Sequence, residues 1–340
     1  MIKNYFNFVV ENLGHRQDYF PGTGGNISFK LEDGTMFIKA SGKRISHMKE
    51  ADGIVPIMYH KVKEFFHSTS PSEDGEKKSG ELILSVVHKN VNGRPSIETG
   101  FHTLLSEAVI HSHSAYVNMF TCSTSFEEGI DTLFLGSHIP YMSISYAKPG
   151  YYLTHLFLDK VKKLSSRPKV IFMKNHGIVV SAPTLELAVK LHEDVNSHIK
   201  KYFGFDDYMY PKGELVYIDE KTSISNTPFL QEFVRNNIEI FENINSYILF
   251  PDLTVFCQDI VVTNISSVDA KINIDKQTGK ITYKTTKKEA HCIEENLIAF
   301  AFLMTYMKVH HLKPIYISQK EADSIRNMEQ EKYRKLLLER

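Results

Sequence analysis

The stretch Ile110-His111-Ser112-His113-Ser114 follows the apolar run Ala108-Val109-Ile110 and reads as the emerging end of a buried strand. Side chains alternate faces along a strand, so His111 and His113 point the same way. Two imidazoles on one face, one residue apart, can grip a single metal ion. Alone, the pair is more simply two ordinary histidines at a strand end. What decides between these readings lies elsewhere in the chain.

Just upstream, Pro95-Ser96-Ile97-Glu98-Thr99-Gly100-Phe101-His102 reads as a helix start, with Ser96 as N-cap and Glu98 and Thr99 in the first turn. Phe101, Leu104 and Leu105 give that helix an apolar side. A first-turn glutamate ordinarily answers the helix dipole, but Glu98 is also only a short helix and a turn away from His111. Further back lies Phe20-Pro21-Gly22-Thr23-Gly24-Gly25-Asn26-Ile27-Ser28-Phe29. Three glycines within four positions exclude a helix or strand interior and let backbone amides turn inward, as anion-binding nests do. Asn26 and Ser28 enter an alternating strand, Ile27-Phe29-Leu31. The turn Asp33-Gly34 leads to a second strand, Met36-Phe37-Ile38, and to the corner Lys39-Ala40-Ser41-Gly42-Lys43, with hydroxyl and ammonium donors. Each loop by itself is an ordinary tight strand connection. Neither is a Walker A loop or a Rossmann fingerprint. Downstream, the apolar runs Lys169–Met173 and Ile178–Val180 form a hairpin that turns at Asn175-His176-Gly177. Leu185 to Tyr202 is an amphipathic helix with Thr184 as cap.

The rest of the chain reads more loosely. A short helix spans about Lys3 to Leu13. Phe66 to Gly80, rich in Ser, Glu, Lys and Gly, reads as an exposed, mobile loop. Tyr141, Tyr146, Tyr151 and Tyr152 cluster around Pro149-Gly150 and suit a pocket or an interface. A boundary between about Phe203 and Lys212 separates residues 1–208 from residues 209–340. The latter read as a helix from Phe229 to Leu249, strands Thr254–Phe256 and Ile260–Val262, and a hairpin from Lys271–Ile274 to Ile281–Tyr283 that turns at Thr278-Gly279. Helices at Lys288–His310 and Lys320–Leu338 follow, with the short element Ile315-Tyr316-Ile317 between them. Hydrophobic residues make up 42% and charged residues 24%, as in ordinary globular proteins. Forty basic residues balance forty acidic ones, which excludes a general basic field for nucleic acid. Three scattered cysteines without a CxxC pair imply a reducing compartment. No secretory h-region and no run of membrane-spanning length is evident, so the expected location is the cytoplasm, with no membrane partner.

The Gly22-Thr23-Gly24-Gly25-Asn26-Ile27-Ser28 loop, Ser41-Gly42, Pro95-Ser96-Ile97-Glu98 with Phe101-His102, His111-Ser112-His113 and Asn175-His176-Gly177 occur in that order. Together they resemble the class II aldolase and adducin-head family, which includes fuculose-1-phosphate and rhamnulose-1-phosphate aldolases. The resemblance covers roughly the first two hundred residues. It implies an α/β fold: a central, mainly antiparallel sheet flanked by helices in residues 1–208, with a smaller α+β extension of open role in residues 209–340. It implies a homotetramer in which His111, His113 and His176 bind a divalent metal, Zn2+ or else Mn2+ or Co2+. Glu98 matches the family's acid/base glutamate. Thr23, Gly25, Asn26, Ser41, Gly42 and Ser96 would hold the phosphate of a sugar-phosphate substrate. Ile97 departs from the pattern, since family members often carry a second hydroxyl before the glutamate, so the anion could instead be a carboxylate. The implied reaction is aldol cleavage or condensation of a phosphorylated ketose through a metal-stabilised enediolate. A neighbouring subunit's tyrosine completes such sites, with Tyr141, Tyr146, Tyr151 and Tyr152 as candidates. Epimerases, dehydratases and decarboxylases use the same chemistry, and an adducin-like scaffold is the non-catalytic alternative.

Overall fold

A computed structural model describes residues 2–49, 52–89, 91, 93–164, 166–264 and 270–339. The first part runs α1 (Ile2–Leu13), β1 (Asn26–Lys30), β2 (Thr35–Lys39), β3 (Ile54–Met58), α2 (His60–Ser68), α3 (Glu73–Ser85) and α4 (Thr99–Thr103). It continues with β4 (Ala108–Ser112), α5 (Ala115–Thr121), α6 (Phe126–Phe134), β5 (Tyr141–Ile144), α7 (Tyr151–Val161), β6 (Val170–Met173), β7 (Gly177–Ala182) and α8 (Leu185–Phe203). Its seven strands form one sheet in the order β3-β2-β1-β4-β7-β6-β5. β5 runs parallel to β6 and the other pairings are antiparallel, so the sheet is mainly antiparallel, as expected.

Strand alternation divides the sheet's side chains between two cores. Ala108 and Ile110 of β4, Val170 and Phe172 of β6, and Ile178 and Val180 of β7 enter one cluster. Val109, Ile171, Met173 and Val179 enter the other, with residues of α2, α4 and α7. A period of two puts His111 and His113 on the side of Val109. Thr184 caps α8 as read, accepting from the amide of Leu187.

The second part contains β8 (Leu215–Tyr217), β9 (Thr222–Ser225), α9 (Pro228–Asn236), α10 (Ile238–Glu242), α11 (Pro251–Phe256), β10 (Ile260–Thr263), β11 (Ile272–Asp275), β12 (Ile281–Lys284), α12 (Lys287–Val309), α13 (Gln319–Arg326) and α14 (Glu329–Leu338). Its strands form a smaller sheet, β10-β11-β12-β9-β8. α12 is buried on every side from Cys292 to Leu303 and contacts α5 of the first part. A helix buried all round has to be apolar all round, but α12 carries Glu294 and Glu295 in that stretch. Both are satisfied. Glu294 accepts from Ser225 Oγ at 2.8 Å and Thr227 Oγ1 at 2.5 Å. Glu295 accepts from Arg44 Nη1 at 2.8 Å and from the amide of Gly22 at 2.7 Å. α12 therefore anchors the Gly-rich loop.

Several elements differ from the sequence reading. Residues 66–80 are largely helical: Ser72 caps α3 by accepting from Gly75 N, and the helix buries Gly75, Ser79 and Ile83, too small a stripe to register as amphipathic. The helix read from Phe229 to Leu249 is broken at Asn237 and Asn243, whose side-chain amides bond back to Phe233 O and Glu239 O. Such local bonds compete with helix continuation. Thr254–Phe256 lies in a helix because Pro251 starts α11, overriding its β-branched residues. The helix read over Lys320–Leu338 breaks where Met328 turns extended, which redirects α14. Among the described residues, no helix is long and apolar enough to cross a membrane.

Glu295→Ala would leave Arg44 and Gly22 N without their buried partner. It is expected to lower unfolding free energy by about 3 kcal/mol, measured by urea titration.

Candidate metal centre

The site forms where β1, β4 and the β6–β7 turn meet. Asn26 is the register partner of His111, and Ser112 of Ile178. His176 sits in the turn, brought against β4 by Gly177, where a Cβ would fall 2.1 Å from Ser112 O at φ +150°. Gly25 makes the matching approach from the other side, with φ +67° and a Cβ position 2.6 Å from His111 O. Only glycine fits either place.

His111, His113 and His176 are all buried, and their ligand atoms lie within 4.8 Å of one another. The Ile178 carbonyl can only accept, so His111 donates through Nδ1 at 3.0 Å and keeps an unprotonated Nε2. His113 donates through Nδ1 to Asp252 Oδ2 at 2.8 Å. Asp252 is held ionised: burial opposes its charge, but Arg334 and His113 outweigh burial and keep its carboxyl well below the usual range. The Nε2 atoms of His111 and His113 face each other at 3.0 Å. Three imidazoles converging in one buried place suit a cation. A divalent ion fits these donors, and two of them, His111 and His113, are oriented by a partner behind the ring.

Glu98 lies inside the cluster, with Oε2 3.2 Å from His111 Nε2 and Oε1 3.6 Å from His176 Nε2. The helix expected to begin after Ser96 starts at Thr99, which leaves Glu98 at its cap position with no capping bond. Its side chain is held instead by Asn26 Nδ2, at 2.8 Å. Ser96 Oγ accepts from the same Asn26 amide at 3.0 Å. Burial would raise the Glu98 carboxyl, but the facing His111 and His176 rings and the Asn26 bond hold it down, to about 2. Burial pushes His111 down and His176 down to about 3, so both rings stay neutral near neutral pH.

Thr23, Gly25, Asn26, Ser41, Gly42 and Ser96 come together with Glu98, His113 and His176 around one cavity. The backbone bridge Ala40–Pro95 brings the Ser41 corner beside Ser96. Tyr141, Tyr146, Tyr151 and Tyr152 do not line this cavity; Tyr141 bonds Asp131, and Tyr151 bonds Ser70 O. Four charged lining residues were not assigned to the site from sequence: Lys39, Asp252, Glu331 and Arg334. Lys39 carried a signal, a lysine ending a strand at the Ser41 corner. Its ammonium donates to Thr23 O at 3.2 Å and Lys43 O at 2.5 Å, and burial lowers it to about 7. The other three belong to α11 and α14 and carried no local signal.

A mainly antiparallel sheet with three inward imidazoles and a buried carboxylate at its centre is the plan of a class II aldolase domain. Residues 10–202 match the Class II Aldolase and Adducin N-terminal domain, and the chain belongs to that family. It is 26% identical over 207 residues to a 3-oxo-tetronate 4-phosphate decarboxylase of Pectobacterium atrosepticum, spanning 56% of this chain and 79% of that one. The N-terminal class II aldolase domain of a conserved Thermoplasma acidophilum protein is similar in fold, with TM-score 0.50 and 18% identity over 59% of this chain and 93% of that one. An L-fuculose 1-phosphate aldolase shares 21% identity over 59% of this chain and 82% of that one, at TM-score 0.38. The family match ends at residue 202, so Asp252, Glu331 and Arg334 lie outside it.

Asp252→Asn is expected to loosen His113 and weaken divalent-ion affinity roughly 10–100-fold, with the fold retained. Chelator competition, with circular dichroism as control, checks this.

Proposed function

We propose that this chain is a metal-dependent carbon–carbon lyase whose substrate is a hydroxylated carbonyl compound bearing an anionic group. The observation that carries this reading is the convergence of His111, His113 and His176, their ligand atoms within 4.8 Å of one another, beside buried Glu98. His111, His113 and His176 would hold the ion. Three imidazole donors favour zinc, with manganese or cobalt as alternatives. A divalent ion there supplies Lewis-acid stabilisation of the negative charge that develops on a carbonyl oxygen as the bond breaks.

The chain's own residues do the rest. Glu98 is the acid/base group: Asn26 orients its carboxylate, and it lies beside the three histidines, so a proton can move next to the reacting carbonyl. Thr23, Gly25, Asn26, Ser41, Gly42 and Ser96 orient the anionic end. Residues 1–208 supply this machinery and residues 209–340 close it. The leading substrate class is a phosphorylated ketose undergoing aldol cleavage. Decarboxylation of a phosphorylated 3-oxo acid is the second reading, favoured by the name of the Pectobacterium relative. Both reactions break a bond one carbon from a carbonyl and leave the same charge to be stabilised. We further propose a cytoplasmic location, in keeping with three free buried cysteines, and a homotetrameric assembly.

Incubating the zinc-restored protein with ketose 1-phosphates and with 3-oxo-acid 4-phosphates separates the two readings. Aldehyde release is expected for the first and carbon dioxide for the second; neither product from any substrate rejects the lyase. Two variants assign the roles. His176→Ala is expected to lose metal and turnover together. Glu98→Gln is expected to keep its metal and lose roughly 10²–10⁴-fold in kcat. Wild-type protein that takes up no divalent metal would favour the scaffold alternative.

A further inference from the structure

α14 lies across the mouth of the site. A Cβ on Gly42 would fall 2.8 Å from Leu337 Cδ1 and 3.7 Å from the Arg334 backbone, so the helix rests directly on the Ser41-Gly42 corner. From there Arg334 reaches inward. Nη2 donates to Thr23 Oγ1 at 3.1 Å and to Asp252 Oδ1 at 2.9 Å, and Nη1 donates to Glu331 Oε2 at 2.8 Å. One guanidinium thus joins the Gly-rich loop, the carboxylate behind His113 and a carboxylate of its own helix.

Glu331 is the unusual member. It is 5% exposed and lines the same cavity as Thr23, Ser41 and Ser96. Burial pushes its carboxyl upward, with Arg334 opposing. Asp252 already pairs with Nη2; Glu331 is a second carboxylate, on Nη1, and it occupies the side of the guanidinium that faces the cavity. We propose that Arg334 reads the anionic group of the substrate and that Glu331 holds that place until the substrate arrives. The inference rests on the proposed function, in which the substrate bears such a group.

In the exchange one anion replaces another on Nη1, and the displaced Glu331 carboxyl, whose charge burial already opposes, takes up a proton or turns to water. The planar fork of the guanidinium matches the paired oxygens of a phosphate or a carboxylate. Asp252 holds Nη2 from the far side, so the cation stays in place while Nη1 changes partner. Space imposes the rest. The cavity measures about 40 Å³, against the roughly 300–1,000 Å³ of ordinary ligand pockets. A sugar-sized molecule therefore needs more room, and withdrawal of the Glu331 carboxylate from Nη1 supplies part of it while the Arg334–Asp252 bond stays in place.

Inorganic phosphate and acetate, titrated separately into the full-length zinc-loaded protein by calorimetry, test this, with zinc content and thermal unfolding recorded for each variant. Arg334→Met is expected to weaken the preferred anion roughly tenfold or more. Arg334→Lys, which keeps the charge and loses the fork, is expected to be intermediate. Glu331→Gln is expected to bind that anion several-fold more tightly, because its competitor is gone. A merely structural Arg334–Glu331 pair predicts that Arg334→Met and Glu331→Gln both weaken binding. That result, or undiminished binding in both arginine variants, or no binding of either anion to the wild-type chain, overturns the proposal. Preference for phosphate or for acetate identifies the anion as phosphate or carboxylate. If the lyase assay fails and the opposed effects persist, the reaction is rejected and Arg334 stands as the anion reader. Turnover without opposed effects rejects that role for Arg334 and leaves the lyase standing.

Discussion

The carboxylate of Asp252 ties the candidate site together. One oxygen receives the His113 ring and the other receives Arg334, which in turn reaches Thr23 in the Gly-rich loop. All of this is buried. A buried carboxylate persists only where its partners offset the loss of water, and here two cationic or proton-donating groups do so at once. The same bond orients His113: Nδ1 is committed to Asp252, so Nε2 is turned toward the other histidines. Nothing in the family domain supplies that carboxylate. It comes from α11, beyond the family match.

The sheet fixes the remaining donors. β4 carries two histidines on one face by strand periodicity, and β7 returns beside it so that the turn presents the third. Gly25 and Gly177 allow two loops to touch the β4 backbone where any side chain would collide. Binding groups mounted on paired strands move little, and preorganisation of this kind spares a site the reorganisation it would otherwise need when charge develops.

Residues 209–340 act as part of the frame. Glu295 holds Gly22 N, and Asn175, in left-handed backbone at φ 53° beside His176, donates to Leu249 O and Ile315 O. Asp252 and Arg334 add the polar link described above, and one hydrophobic core runs from Phe6 to Leu338 across both parts. The site is therefore narrow because the second part closes it, and the same closure brings a second cation, Arg334, beside Lys39 at the Ser41-Gly42 corner.

What the sequence determined by itself was local: the alternation that sets His111 beside His113, the glycines that mark the Gly22–Gly25 loop and the His176 turn, and the cap and length of α8. Each depends on residues a few positions apart. Local reading failed where local preferences were overridden. Pro251 made a helix of a β-branched run, asparagine side chains interrupted the region after α9, and small buried residues disguised α3 as a loop. Tertiary structure alone decided that Glu98 leaves its helix to face the histidines, and that Asp252 and Arg334 enter the site. His113 and Asp252 are separated by 139 positions, and Thr23 and Arg334 by 311. A charged residue in a polar helix looks the same in sequence whether it faces water or a buried partner, because the energy that distinguishes the two arises only when folding removes the water.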